Sequence, residues 1–202
     1  RVKAMRFGVR EFLNDGQTIY TAVCASCHGA NGQGNRFPGL VPNPSITNPD
    51  FLELASDDYL FTAIQKGRPG RPMLAWGEKE NGFTADEMKS LIAYIRGLGG
   101  NVQFKPDTMP QIWAKGDVNF GQKLFTSNCA GCHGKTGEGL EGPALNNKMF
   151  LTSVSDTFLV ETISRGRSGT IMQGFSSPSV VRRALTKEEI ESIVVYVRSL
   201  GK

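Results

Sequence analysis

The sequence predicts an all-α chain made of two tandem copies of one helical unit joined by a short linker. Three observations carry this: self-similarity at a nearly fixed offset, apolar residues recurring at steps of three and four, and no stretch of strand-like alternation. Gly16-Gln17 through Cys24, Cys27, His28 and Gly29 aligns with Gly121-Gln122 through Cys129, Cys132, His133 and Gly134 at an offset of 105. That register carries on to Gly32, Gly34, Pro38 and Leu40, matched to Gly137, Gly139, Pro143 and Leu145. Ser56 to Met73 then matches Ser155 to Met172 at an offset of 99, and Thr84 to Gly99 matches Thr186 to Gly201 at 102. Indels falling between blocks that hold register mark two homologous units: residues 1–100, with an arm over about 1–10, and residues 116–202. Residues 101–115, with Pro106 and Pro110 and no sustained period, read as the linker.

Each element has a local reason. A first helix is expected to enter the cysteine pair of each unit, from about Phe12 and from Asp117. Gly29–Pro49 and Gly134–Pro143 are too rich in glycine and proline for helix, and loops of that length usually wrap something. Short helices are expected at Asp57–Gln65 and Asp156–Ser164. The last helices open on Thr84-x-x-Glu87 and Thr186-x-x-Glu189, in which each side chain satisfies the other's free backbone N–H. Met88, Leu91, Ile92, Ile95 and Leu98, like Ile190, Ile193, Val194, Val197 and Leu200, then lay one apolar stripe along each helix. Gly99 and Gly201 stop them.

Composition narrows the chemistry. Hydrophobic residues at 39% and charged residues at 21% describe a folded globular chain, and no apolar run is long enough to span a membrane, so the sequence reads as water-soluble. A net charge of +4, spread over both halves, lacks the concentrated basic stripe of a nucleic-acid binder. Arg1–Phe12 lacks the apolar core of a secretory signal. With only two histidines, each directly after a cysteine, histidine-rich cages and catalytic triads are excluded.

Cys24-Ala-Ser-Cys27-His28 and Cys129-Ala-Gly-Cys132-His133 are the informative motifs. Two thiols three positions apart can form thioethers to the two vinyl groups of one haem, and the adjacent histidine is then delivered to the iron. A structural zinc site would set two Cys-x-x-Cys knuckles about 15–20 residues apart. Here they stand 105 apart, one in each unit. A thioredoxin-like dithiol needs a βαβ setting, which the helical pattern denies. Gly32-Gln33-Gly34 and Gly137-Glu138-Gly139 follow these motifs instead of a strand, which disfavours a phosphate loop.

On these residues the chain resembles the class I c-type cytochromes, small helical domains each wrapping one covalently attached haem. The resemblance spans residues 11–100 and 116–202. It implies two haem c groups, with a methionine as second axial ligand in each unit: Met73 in the first, and in the second Met172, chosen over Met149 by its place in the repeat. It also implies that carbonyls of Pro38 and Pro143 hold the Nδ1–H of His28 and His133. Gly16 with Tyr20, Gly121 with Phe125, and Tyr94 and Tyr196 resemble contacts where the first and last helices cross. Trp76 stands where it could touch a propionate edge, although Phe175 at the matching place points at least equally to packing, and Arg68, Arg71, Arg165 and Arg167 read as a basic rim beside the ligand loops or, more simply, as solvated surface.

The function expected from this resemblance is electron transfer between redox protein partners, as a carrier or as part of a membrane-bound respiratory complex, without substrate chemistry. The alternative is a catalytic di-haem cytochrome, peroxidase-like or thiosulfate-oxidising, with a displaceable axial ligand. Arg1, Lys3, Arg6 and Arg10 form a basic arm suited to another chain or anionic lipid. Haem c attachment implies the periplasm or the outer face of the membrane, after removal of a signal peptide.

Overall fold

The computed structural model describes residues 15–80 and 82–201. The basic arm and the expected helix start at Phe12 lie outside the described residues. In the first unit α1 (Gly16–Ile19) passes through a π-helical turn, Tyr20–Cys24, into α2 (Ala25–His28). Then come α3 (Pro49–Leu54), α4 (Asp57–Lys66), a 3-10 turn at Glu78–Glu80 and α5 (Ala85–Leu98). The second unit repeats the order with α6 (Val118–Asn128), α7 (Ala130–His133), α8 (Lys148–Ser153), α9 (Asp156–Arg165) and α10 (Lys187–Ser199). Among the described residues there is no strand, only isolated bridges at Gly166–Gln173 and Ser179–Arg182.

Both last helices start on complete capping boxes, Thr84 with Glu87 and Thr186 with Glu189. Their apolar stripes are the cores: Met88, Leu91, Ile92 and Ile95 are buried in one, and Ile190, Ile193, Val194 and Val197 in the other. The first helix of each unit crosses that stripe at a glycine. A Cβ on Gly16 would meet the Ser90 carbonyl at 2.1 Å, and one on Gly121 the Ser192 carbonyl at 2.0 Å. This closeness brings the rings of Tyr20 and Tyr94 to 5.5 Å and those of Phe125 and Tyr196 to 5.2 Å, as the resemblance implies. Helices α3 and α8 fall beyond the sequence expectation. Asn48 and Asn147 start them, accepting from Phe51 N and Phe150 N at 3.2 and 3.1 Å, with Pro49 suited to the first turn.

A second shared device ties α5 and α10 down. Arg96 reaches the carbonyls of Leu52 and Ala55 and the carboxylate of Asp57. Arg198 repeats this with Leu151, Val154 and Asp156. Asp156 is also where the linker docks, since it accepts from Trp113 N and Ala114 N at 2.6 and 2.7 Å. The linker is held at its other end by Lys105 N donating to Glu53 O at 2.8 Å. It is therefore fastened to both units.

Two sequence expectations need correction. The first concerns the register of the loop after His28. Gly34 N donates to His28 O as Gly139 N does to His133 O, an offset of 105, but Ile46 N donates to Gly32 O as Leu145 N does to Gly137 O. Leu145 is thus the counterpart of Ile46, not Leu40, and the six extra residues fall between Gly34 and Asn43, closed off by Asn43 N donating to Asn35 O. The counterpart of Pro143 is Pro44, not Pro38.

The second concerns the arginines: Arg165 is exposed, but Arg68, Arg71 and Arg167 are half-buried. They line the contact between units, which has a pseudo-two-fold pattern. Arg68 lies over the rings of Tyr59 and Phe150, and Arg167 over those of Phe158 and Phe51. Arg71 bonds Asn146, and Arg165 pairs with Asp50 and Glu53. Phe51, Tyr59, Phe150 and Phe158 stack edge to face or tilted at the centre. Burial among these rings pulls the Arg167 guanidinium down to about 10.

Candidate haem-binding sites

In each unit the two cysteines sit one helical turn apart at the end of the first helix, unpaired. Cys27 and Cys132 are exposed; Cys24 and Cys129 are half-buried. Burial, reinforced by the neighbouring thiol, pushes Cys24 up to about 11 and Cys129 up to about 12. Among the described residues no three His, Cys, Asp or Glu side chains converge.

The histidines follow on the same turn. Gly29 and Gly134, at φ of 81° and 82°, then turn the chain away in a conformation that side chains disfavour. His133 Nδ1 stands 2.8 Å from Pro143 O and His28 Nδ1 3.2 Å from Pro44 O. A carbonyl only accepts, so Nδ1 carries the proton and Nε2 keeps its lone pair free for a metal. Burial draws both imidazoles below their ordinary pKa, opposed by those carbonyls, and so favours the neutral ligand form. The backbone across from His133 is close: a Cβ on Gly142 would come within 2.7 Å of its ring.

The methionine loops are built alike. Helices α4 and α9 end on Gly67 and Gly166 at φ of 62° and 76°. Arg68 N then donates to Met73 O at 2.8 Å, and Arg167 N to Met172 O at 2.7 Å. The loops return to the helices through Trp76 N to Ile64 O and Phe175 N to Ile163 O. Met73 and Met172 are half-buried at matching places, whereas Met149 lies on α8, lining a groove with Ser56, Tyr59 and Thr62 of the other unit. Trp76 stacks on Phe83 with ring centroids 5.3 Å apart, a packing role. Leu74 and Ile171, beside the methionines, and Leu140, whose amide donates to Cys132 O, present exposed apolar side chains. Paired thiols, a neutral imidazole, a thioether loop and apolar neighbours are the donor set and lining that a covalently attached haem requires.

Gln33 and Glu138, each between two glycines, fold back to accept from Asn31 N and Thr136 N. They close tight turns. Residues that sequence reasoning missed include Pro44 and the two capping asparagines, Asn48 and Asn147. The asparagines carried a signal, since both precede short apolar segments at the 99-residue offset.

Residues 11–95 match the family model described as cytochrome c oxidase, cbb3-type, subunit III, and residues 118–201 match that for cytochrome c. A cbb3-type cytochrome c oxidase subunit FixP of Bradyrhizobium diazoefficiens is 33% identical over 92% of this chain and 60% of its own length. The CcoP subunit of an Azospirillum species is 30% identical, with 92% and 61% covered, and that of Rhodobacter capsulatus 26%, with 93% and 62%. The chain thus spans about three fifths of the length of these relatives. A solved structure from the Kuenenia stuttgartiensis reducing HAO-like protein complex shares the fold at a TM-score of 0.55 and 20% identity, covering 93% of this chain and 96% of its own. No helix among the described residues is long and apolar enough to cross a membrane. The chain is a di-domain c-type cytochrome, each half a class I-like haem-c fold, resembling the FixP and CcoP subunits of cbb3-type oxidases.

Proposed function

We propose that this chain carries electrons within a cbb3-type respiratory oxidase assembly, through one covalently bound haem c in each domain. Cys24 and Cys27 attach the first haem, with His28 and Met73 as axial ligands; Cys129, Cys132, His133 and Met172 do the same for the second. The domains run over residues 1–100 and 116–202, joined by 101–115. A haem iron between imidazole and thioether passes one electron without changing its ligands, and the thioether raises its potential. Pro44 and Pro143 fix the tautomer and direction of the two imidazoles. The observation that carries the reading is the duplication itself: in each unit a histidine tied through Nδ1 to a proline carbonyl, two unpaired thiols beside it, and a methionine loop closed by the same Arg-to-Met backbone bond.

Both histidines and all four cysteines are spent in this scheme, which leaves no free side chain of either kind to serve as acid, base or nucleophile. That favours a carrier without substrate chemistry. The donors and acceptors are redox proteins of the oxidase assembly, working outside the cytoplasm, where haem c is attached.

Two haems per chain that stay attached in acidified acetone are expected. So are near-infrared methionine-to-iron bands, of which M73A and M172A each remove one. A colourless chain, or bands surviving both substitutions, would overturn the ligand set. Rapid carbon monoxide binding to either ferrous haem of the wild type would favour a catalytic di-haem cytochrome instead.

A further inference from the structure

The methionine loops of the two domains are braced by each other's domain. Asn147 divides its side chain between two jobs. Its Oδ1 caps α8, which sends Nδ2 across the interface to Pro69 O at 3.0 Å. Pro69 lies in the Met73 loop, and the Arg68 guanidinium beside it rests on Phe150 of the second domain. The reciprocal set holds the Met172 loop. Asn48 caps α3 through Oδ1 and donates from Nδ2 to Ser168 O at 2.9 Å. Asp50 accepts from Ser168 N at 2.6 Å, its carbonyl accepts from Arg167, and Arg167 lies over Phe51.

Within its own domain each loop is held at its base by the glycine turn and the Arg-to-Met backbone bond. The tip, Arg68-Pro69-Gly70 or Arg167-Ser168-Gly169, has polar partners across the interface. A Cβ on Gly70 or Gly169 would meet nothing within 4 Å, and although Arg68 and Arg167 also bond Tyr59 and Thr162 of their own domains, the bonds to the Pro69 and Ser168 carbonyls come from across the interface.

We propose that Asn147 is a positioning residue for Met73, and Asn48 for Met172, so that docking of the two domains sets how firmly each methionine stays on iron. Loss of the contact on one side weakens ligation on the other. This rests on the His/Met ligation proposed above, but the test separates the two.

Asn147→Asp and Asn48→Asp keep the capping oxygen and remove the crossing donor; Asn147→Ser does the same for the first without adding charge. In the M172A background the near-infrared band reports the first haem alone, and in M73A the second alone. Imidazole displaces methionine and bleaches that band. One interdomain hydrogen bond corresponds to about a two- to tenfold change in the midpoint. In M172A, N147D and N147S are expected to lower the imidazole concentration at half-bleaching by that factor, while N48D leaves it unmoved. In M73A the roles exchange. Hydrogen exchange of the Arg68 and Arg71 amides, both bonded within the loop, is expected to speed up in N147D and N147S but not in N48D. Equal midpoints in all variants, or a larger effect on the haem of the substituted domain, would overturn the bracing. Absence of a near-infrared band in unsubstituted protein would instead overturn the ligation.

Discussion

Gly121 offers the sharpest measure of how tightly each domain is closed. An added Cβ would lie 2.0 Å from the Ser192 carbonyl oxygen and 3.1 Å from Tyr196 Cβ, about 1.4 Å short of the 3.4 Å at which ordinary contact begins. Both obstacles belong to α10 itself and cannot swing aside, so Gly121→Ala must push α6 and α10 apart. Fully buried Phe125 and nearly buried Tyr196 then lose their close packing. Overpacking of this kind costs about 1–3 kcal/mol, against about 0.5–1 kcal/mol gained because alanine is the better helix former. The net expectation is a loss of up to about 2.5 kcal/mol, or up to roughly 20 °C in the unfolding temperature of a domain this size. Gly97→Ala is the internal control. It sits within α5, its Cβ would meet nothing nearer than 4.0 Å, and it should stabilise by the helix-propensity gain alone. Thermal unfolding followed by circular dichroism reads both. An unfolding temperature for G121A equal to or above wild type would refute the close crossing.

Three further outcomes follow from the site and its supports. Asp156→Ala should cost about 3–5 kcal/mol in denaturant unfolding, because it strands Arg198 and frees the linker amides at a side chain 1% exposed. Asp57→Ala, at a side chain 68% exposed, should cost less than about 1 kcal/mol; similar losses would refute the distinction. Excising residues 36–41 should leave haem attachment and the near-infrared band of the first domain intact, since Gly34 and Pro44 keep their contacts with His28 and the losses are the exposed Arg36–Glu141 pair and a bond within the excised turn, Leu40 N to Phe37 O; disappearance of that band would restore Pro38 as the acceptor. Glu189 is held down at about 2 by Arg183 and the Thr186 amide. Its stabilising effect is therefore complete above the unfolded value near 4.5 and fades as pH falls towards 2. Unfolding midpoints of wild type and Glu189→Gln should differ at pH 6 and converge at about pH 2, and a constant difference would contradict the assignment.

The site was legible in the sequence to the extent that its chemistry is local. Cys24, Cys27 and His28 lie on one turn, and a duplicated motif needs no tertiary information to be recognised. The methionines required the repeat, which singled out Met172 over Met149 by register. The proline carbonyl was misassigned because Pro38, Pro42 and Pro44 all lie in one irregular loop. Pattern alone does not say where six extra residues enter a segment without periodicity; the backbone bonds of Gly34 and Ile46 do. Arg68 and Arg167 read as solvated for a related reason. A charged side chain beside a loop looks solvated until a second domain supplies aromatic rings to cover it.

By itself the sequence determined the all-α class, the capped and striped last helices and the Cys-x-x-Cys-His motifs, because each is written in residues at most four positions apart, and the two units, because those local patterns recur about 100 residues on. Tertiary structure alone decided which carbonyl orients His28, that the linker is pinned to both domains, and that each methionine loop leans on an asparagine from the other half. Those contacts join residues from 16 to 120 positions apart. Such pairings depend on how whole helices pack, and no local propensity encodes them.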